Sequence, residues 1–284
     1  MKIGIKKRRY RFWATVLLFT AGIVSLYAQP PGAPFSKGQD VSPTFEGWEN
    51  NPDGTYTLYF GYYNRNSEEE IDVPLGPDNS FDLGNGDQGQ PTHFYPRRRW
   101  FVFKVVVPTD WPKDKRVVWT LTTKGRTNQA KGWLQPEWEV DQLLISRNAG
   151  MDPFLRDSNS NISPGNLAPV ITGGSAQSIT LPATATLTAT ATDDGLPKPG
   201  SEVGGRRPAG VQIRWIFYRG PAKVQFDPDL SPAVYGKPVT WETKVSFSMP
   251  GTYRLRAIAT DGWAFSTYDV DVKVNPGPSA ENVR

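Results

Sequence analysis

The sequence predicts an all-β protein: two β-sandwich domains in tandem after an N-terminal signal peptide. Three observations lead there. Past residue 28 no stretch holds a long 3.6-residue apolar period, while period-two alternation recurs throughout. Glycine and proline, 27 and 26 residues, punctuate that alternation at short intervals. Aromatic residues make up 12% of the chain, which fits packed cores and not a disordered polymer. At 284 residues the chain has the length of about two domains.

Lys2, Lys6, Lys7, Arg8, Arg9 and Arg11 precede seventeen uncharged residues, Phe12 to Ala28, and a break at Gln29-Pro30-Pro31-Gly32. A basic start, an apolar core and a breaker describe an export signal, so residues 1–28 are read as a signal peptide. Leu26 stands where a cleavage site prefers a small residue, so an uncleaved N-terminal anchor stays open as the alternative and would be the chain's contact with a membrane. Without residues 1–28 the formal charge of +4 becomes 26 basic against 28 acidic residues, a balance of −2. That removes the basic footprint of a nucleic-acid binder. Zero cysteines exclude disulfides, thiolate metal sites, cysteine nucleophiles and lipoprotein acylation; one histidine excludes a multi-histidine metal centre within a single chain.

Residues 29–39 form a Pro/Gly-rich leader and residues 40–147 the first sandwich. Thr44 to Trp48 and Thr55 to Tyr63 make a hairpin across Asn51-Pro52-Asp53-Gly54, with Tyr56, Leu58, Phe60 and Tyr62 on one face. Trp100 to Val107 and Arg116 to Thr123 are further strands, and Thr127 to Leu134 pairs with the latter across Lys124-Gly125-Arg126. Residues 148–165 turn polar and breaker-rich and are read as the linker; Asp157-Ser158-Asn159-Ser160-Asn161 starts like a calcium loop but has Ile162 where glycine is required.

In residues 166–275, strands are expected from Leu181 to Ala191, from Val211 to Phe217, from Pro250 to Ala259 and near Tyr268 to Val274. Val211, Ile213, Trp215 and Phe217 share one face, as do Tyr253, Leu255, Ala257 and Ala259, so two sheets can close around Trp215, with Tyr253 placed as a tyrosine corner. The Asn166-Leu167-Ala168-Pro169 start, the Asp193-Asp194-Gly195-Leu196-Pro197 turn, Trp215 before Gly220-Pro221, and Gly251-Thr252-Tyr253 with Ala259-Thr260-Asp261-Gly262 together resemble a PKD-like, immunoglobulin-fold module of bacterial exported proteins. The Gly200 to Gly210 insert departs from that pattern. Phe60 to Asn66 and Gly89-Gln90-Pro91-Thr92 resemble uncharacterised exported sandwich proteins. Residues 276–284 are expected to be a disordered tail.

Two clusters are candidate sites. Arg97, Arg98, Arg99 and Trp100 concentrate positive charge beside an aromatic ring, a combination that holds a sugar or an anion; the alternative, which strand alternation favours, is a solvated charge run with Trp100 facing the core. Asp193, Asp194 and Asp261 fall at one pole of the second sandwich and offer hard oxygen ligands for a structural calcium ion; the alternative, again favoured, is that each caps its own turn. No other cofactor is expected. Gly84 to Gly89 matches a dinucleotide pattern, but Pro91 follows and no helix begins there. His93 lies without a nucleophile elbow and reads as a partly buried loop histidine, and Glu68-Glu69-Glu70 as a solvated turn.

The resemblance implies modules that act as spacers and contact surfaces. The expectation is an exported non-enzymatic protein, periplasmic, cell-surface or extracellular, working in envelope structure or adhesion with a glycan or envelope protein as partner and no nucleic acid. The alternative is an accessory or catalytic component of a secreted carbohydrate-active hydrolase with its site in the first domain, since carboxylate pairs depend on spatial separation.

Overall fold

A computed structural model describes residues 35–149, 165–198 and 210–278. The signal peptide, the greater part of the leader, all but the ends of the linker, the Gly200 to Gly210 insert up to position 209 and the tail from residue 279 lie outside the described residues.

Sixteen strands, one 3-10 turn and one short α-helix make up the described chain, so the all-β prediction holds. In the first sandwich, β1 (Val41–Asn50), β2 (Tyr56–Asn64) and β6 (Arg97–Val107) form one sheet, and β4 (Asn79–Phe81), β7 (Val117–Thr123) and β8 (Arg126–Gly132) the other. A short ribbon, β3 (Ile71–Asp72) with β5 (His93–Phe94), completes it. Alternation is the cause: along β7, Val117, Trp119, Leu121 and Thr123 are buried and the residues between them half-exposed. Leu58, Phe60 and Tyr62 meet Phe81, Phe94, Phe103 and Trp119 in an aromatic core, with Phe81 and Trp119 stacked at 6.0 Å.

The second sandwich pairs β13 (Gln225–Asp227), β14 (Val239–Ser246), β11 (Ala185–Thr192) and β9 (Val170–Gly173) in one sheet. It faces a sheet of β10 (Gln177–Thr180), β16 (Phe265–Asn275), β15 (Gly251–Thr260) and β12 (Gln212–Arg219). The opening segment thus divides between the sheets: β9 runs antiparallel to β11, and β10 runs parallel to β16. Inward alanines of β11 face a core filled by Trp215, Phe217, Tyr253 and Leu255, all fully buried. The Tyr253 hydroxyl donates to the Met249 carbonyl four residues upstream at 2.8 Å, which is the expected tyrosine corner.

Sequence periodicity did not show the short strands β3, β4, β5, β9, β10 and β13, nor β14. It also did not show the 3-10 turn Pro136–Trp138 and the helix α1 (Gln142–Ala149), which begins at Asp141, whose carboxylate accepts from the Leu144 amide at 2.7 Å. Asn148, expected in the linker, lies in this helix. Gly47 lets that segment dock: its φ is +123°, and a Cβ there would stand 2.4 Å from the Val140 side chain and 2.7 Å from the Trp138 carbonyl.

Candidate functional site

The arginine run does not form one cationic surface. Arg98 reaches across the sheet, donating to Glu46 at 2.5 Å, while its guanidinium lies 3.9 Å from the centre of the Trp100 ring. Gly61 makes room for the pair, since a Cβ there would meet Glu46 Oε1 at 2.4 Å. Burial pushes the Glu46 carboxyl up, with Arg98 and Thr44 pulling against it. Arg99 is buried with its guanidinium 5.6 Å from the Tyr95 ring, and Arg97 is exposed. The run is thus split between an exposed Arg97, a buried Arg99 and a paired Arg98–Trp100, and half-buried Trp100 packs not in the core of its own sandwich but against a small cluster with Ile258 of the second.

At the pole of the second sandwich the three aspartates do come together. Burial raises the Asp193 carboxyl to about 6, with the charges of Asp261 and Asp194 adding to the rise. Burial raises Asp261 as well. Most of their oxygens serve the local backbone: Asp261 Oδ1 accepts from the amides of Trp263 and Ala264 at 2.6 and 2.8 Å, Asp193 Oδ2 from Gly195 at 3.0 Å, and Asp194 from Leu196 and Leu167. Asn166 donates to Asp261 at 2.9 Å. Among the described residues no group of three or more histidine, cysteine or acidic side chains has the spacing to hold a metal ion.

The densest polar network lies elsewhere, at the joint between the sandwiches. His93 is not a loop histidine: it sits in β5 with 2% of its surface exposed, its Nδ1 2.7 Å from Asp72 and its Nε2 3.3 Å from Glu70. The second distance marks an ion pair more than an aligned hydrogen bond. Glu70, expected as a solvated turn residue, also pairs with Lys223 of the second sandwich. Its pairing with His93 holds the carboxyl down at about 2, against the cost of burial and with help from Lys223. Burial disfavours the imidazolium, yet Asp72 and Glu70 outweigh it and the His93 pKa is raised.

Around this centre the loop before β5 grips the end of β12. Arg219 holds Asp87 through two nitrogens at 2.7 and 3.0 Å and donates to the Gln90 carbonyl at 2.5 Å. Tyr218 Oη donates to the Gly89 carbonyl at 2.6 Å, the Thr92 amide to the Tyr218 carbonyl at 3.2 Å, and the Phe217 amide to the Tyr95 hydroxyl at 3.0 Å. Arg256 is clamped on Asp269 at 2.7 and 2.9 Å, lies 3.7 Å from the Tyr218 ring centre, and reaches the Val102 carbonyl.

A bulge in β6 supplies the apolar part. Phe60 pairs with Phe103 and Tyr62 with Arg99, so Trp100, Phe101 and Val102 stand opposite Gly61 alone, and Phe101 takes φ 49°. The bulge turns Phe101 away from its own core into a cluster with Val140, Ile145 and Ile258, which leaves a crevice of only about 50 Å³. The sequence did mark this site in one respect: Gly89-Gln90-Pro91-Thr92 is the loop that grips β12. Its function there was invisible, because its partners lie about 130 positions away.

No family model matches the chain, and no curated protein matches it. Solved structures similar to it include the PKD domain of human KIAA0319, 19% identical over 44% of this chain and 96% of that one, with a TM-score of 0.23. Domains 4 and 5 of the S-layer protein SbsC are 12% identical over 84% of this chain and 98% of that one, TM-score 0.27. The fibronectin(III)-like modules of Clostridium thermocellum CbhA are 11% identical over 84% and 95%, TM-score 0.23. Scores this low carry no argument; the sandwich architecture rests on the strand registers and the two cores.

Proposed function

We propose that the protein is an exported, non-enzymatic spacer and recognition protein of the cell envelope, in which two sandwiches are locked into one stiff piece that holds a contact surface at a fixed orientation. The joint is the observation that supports this reading. Independent domains on a flexible tether need no bidentate Arg219–Asp87 pair, no inter-sandwich backbone bonds and no aromatic cluster between them. The histidine, the residue most suited to acid–base work at neutral pH, is closed off between two carboxylates inside that joint. Among the described residues no helix is long and apolar enough to cross a membrane, so anchoring through a helix would fall to the N-terminal segment.

Backbone 15N relaxation on residues 29–284 tests the stiffness. One rotational correlation time for both sandwiches is expected, and two distinct times would refute the reading. A screen against polysaccharide substrates is expected to show no hydrolysis; turnover would restore the hydrolase alternative.

A further inference from the structure

We infer that the cleft beside the joint binds acidic oligosaccharides, through carboxylates on the sugar. This deepens the recognition part of the proposed function and rests on it. The cleft encloses about 480 Å³, within the range of ligand sites, and lies between two sandwiches, where such sites are common. It is lined by Phe101 and Phe265, by Lys104 from β6, and by Arg254, Arg256 and Asp269 from β15 and β16. With Asp271, the partner of Arg254, three cations stand against two carboxylates.

The cations are not equivalent. Arg256 is used up by Asp269, Tyr218 and the Val102 carbonyl. Arg254 is clamped on Asp271 through Nε and Nη2 at 2.8 and 2.9 Å, which fixes its plane and leaves the Nη1 edge with no described partner. Lys104 is exposed and forms no ion pair with a described residue. An oriented guanidinium edge and a free ammonium from the two sandwiches suit a ligand with repeated negative charge, and half-buried Phe265 suits the apolar face of a sugar ring.

A peptide added as a strand fits less well. Although β6 has only β2 as a hydrogen-bonded neighbour, Arg256 already occupies its Val102 carbonyl and α1 packs alongside it, so the edge offers no continuous run of main-chain partners.

The test titrates residues 29–284 with tetragalacturonate and, in parallel, with its fully methyl-esterified form and with an acidic peptide, by calorimetry and by amide chemical shifts. Saturable binding of the free acid is expected, weakening as salt rises, with shifts centred on Phe265 to Thr267 and none from the ester. Lys104→Glu is expected to lower affinity about tenfold with an unchanged melting curve, since it replaces an exposed attraction with a repulsion, and Lys104→Arg to retain binding. Equal binding of the ester, indifference to Lys104→Glu, shifts mapping elsewhere, or preference for the peptide would each overturn the inference. Relaxation data from the same samples separate the two readings: a stiff joint without oligosaccharide binding removes the cleft alone, whereas two correlation times remove the spacer reading beneath it.

Discussion

Trp215 has 1% of its surface exposed and stands among Ala189, Leu187 and Leu255 in the core of the second sandwich, while its neighbour Arg214 points outward to Asp229 at 2.7 Å. Trp215→Ala is expected to destabilise that sandwich by about 3 to 5 kcal/mol, the range for a large buried truncation. Arg214→Ala should cost well under about 1 kcal/mol, as half-exposed pairs do. Urea midpoints check both, and equal shifts would mean the strand faces are misassigned. Such faces were legible because alternation is local, and Trp215, Tyr253 and Phe60 were placed correctly from it. The fate of single charges was not. Asp193, Asp194 and Asp261 stand close enough for their charges to interact, but whether their oxygens face a cation or their own turn amides depends on atomic positions that a sequence does not hold. With those amides in place, the melting temperature is expected to be the same in calcium and in chelator; a rise in calcium that vanished in Asp193→Asn and Asp261→Asn would make the pole a calcium site.

Groups at the joint and at the aspartate pole of the second sandwich set the pH response. Asp193 binds its proton more tightly in the folded chain, at about 6 against an ordinary 3.8, so its contribution is complete below 3.8 and is lost as pH rises through about 6. His93 acts in the same direction: its raised pKa gives stability that is complete below 6.5 and is lost as pH rises through the folded value. Glu70 has the opposite sign, stabilising above its ordinary 4.5 and losing that contribution as pH falls toward about 2. The melting temperature should therefore peak between about pH 3.8 and 4.5, and His93→Gln should flatten its decline on the alkaline side. A melting temperature that climbs steadily from pH 5 to 8 would contradict the assignment. The long strands other than β14 were readable from sequence, but β3 and β5, two residues each, carry no period to read. They exist because their partners across the ribbon and across the joint hold them. The β6 bulge was hidden for a related reason, since Arg-Arg-Arg-Trp-Phe-Val alternates acceptably in either register until Gly61 and the facing sandwich choose one.

For the whole molecule, circular dichroism of residues 29–284 is expected to show strand-dominated spectra with far less helix than the globular average of about a third. The joint couples the sandwiches energetically, so Asp87→Ala or Arg219→Ala should leave each core folded while separating one thermal transition into two, read by calorimetry. A single sharp transition in both variants would mean that the pair contributes nothing to the coupling. The parallel pairing of β10 with β16 has a mechanical consequence. The chain enters the second sandwich at one end of this pair and leaves it at the other, so tension along the chain slides the two strands past each other and loads their rungs together, from Gln177 with Val272 to Thr180 with Asn275, where an antiparallel hairpin would unzip one rung at a time. Under pulling, the second sandwich should resist as a shear clamp and yield at a high, abrupt force.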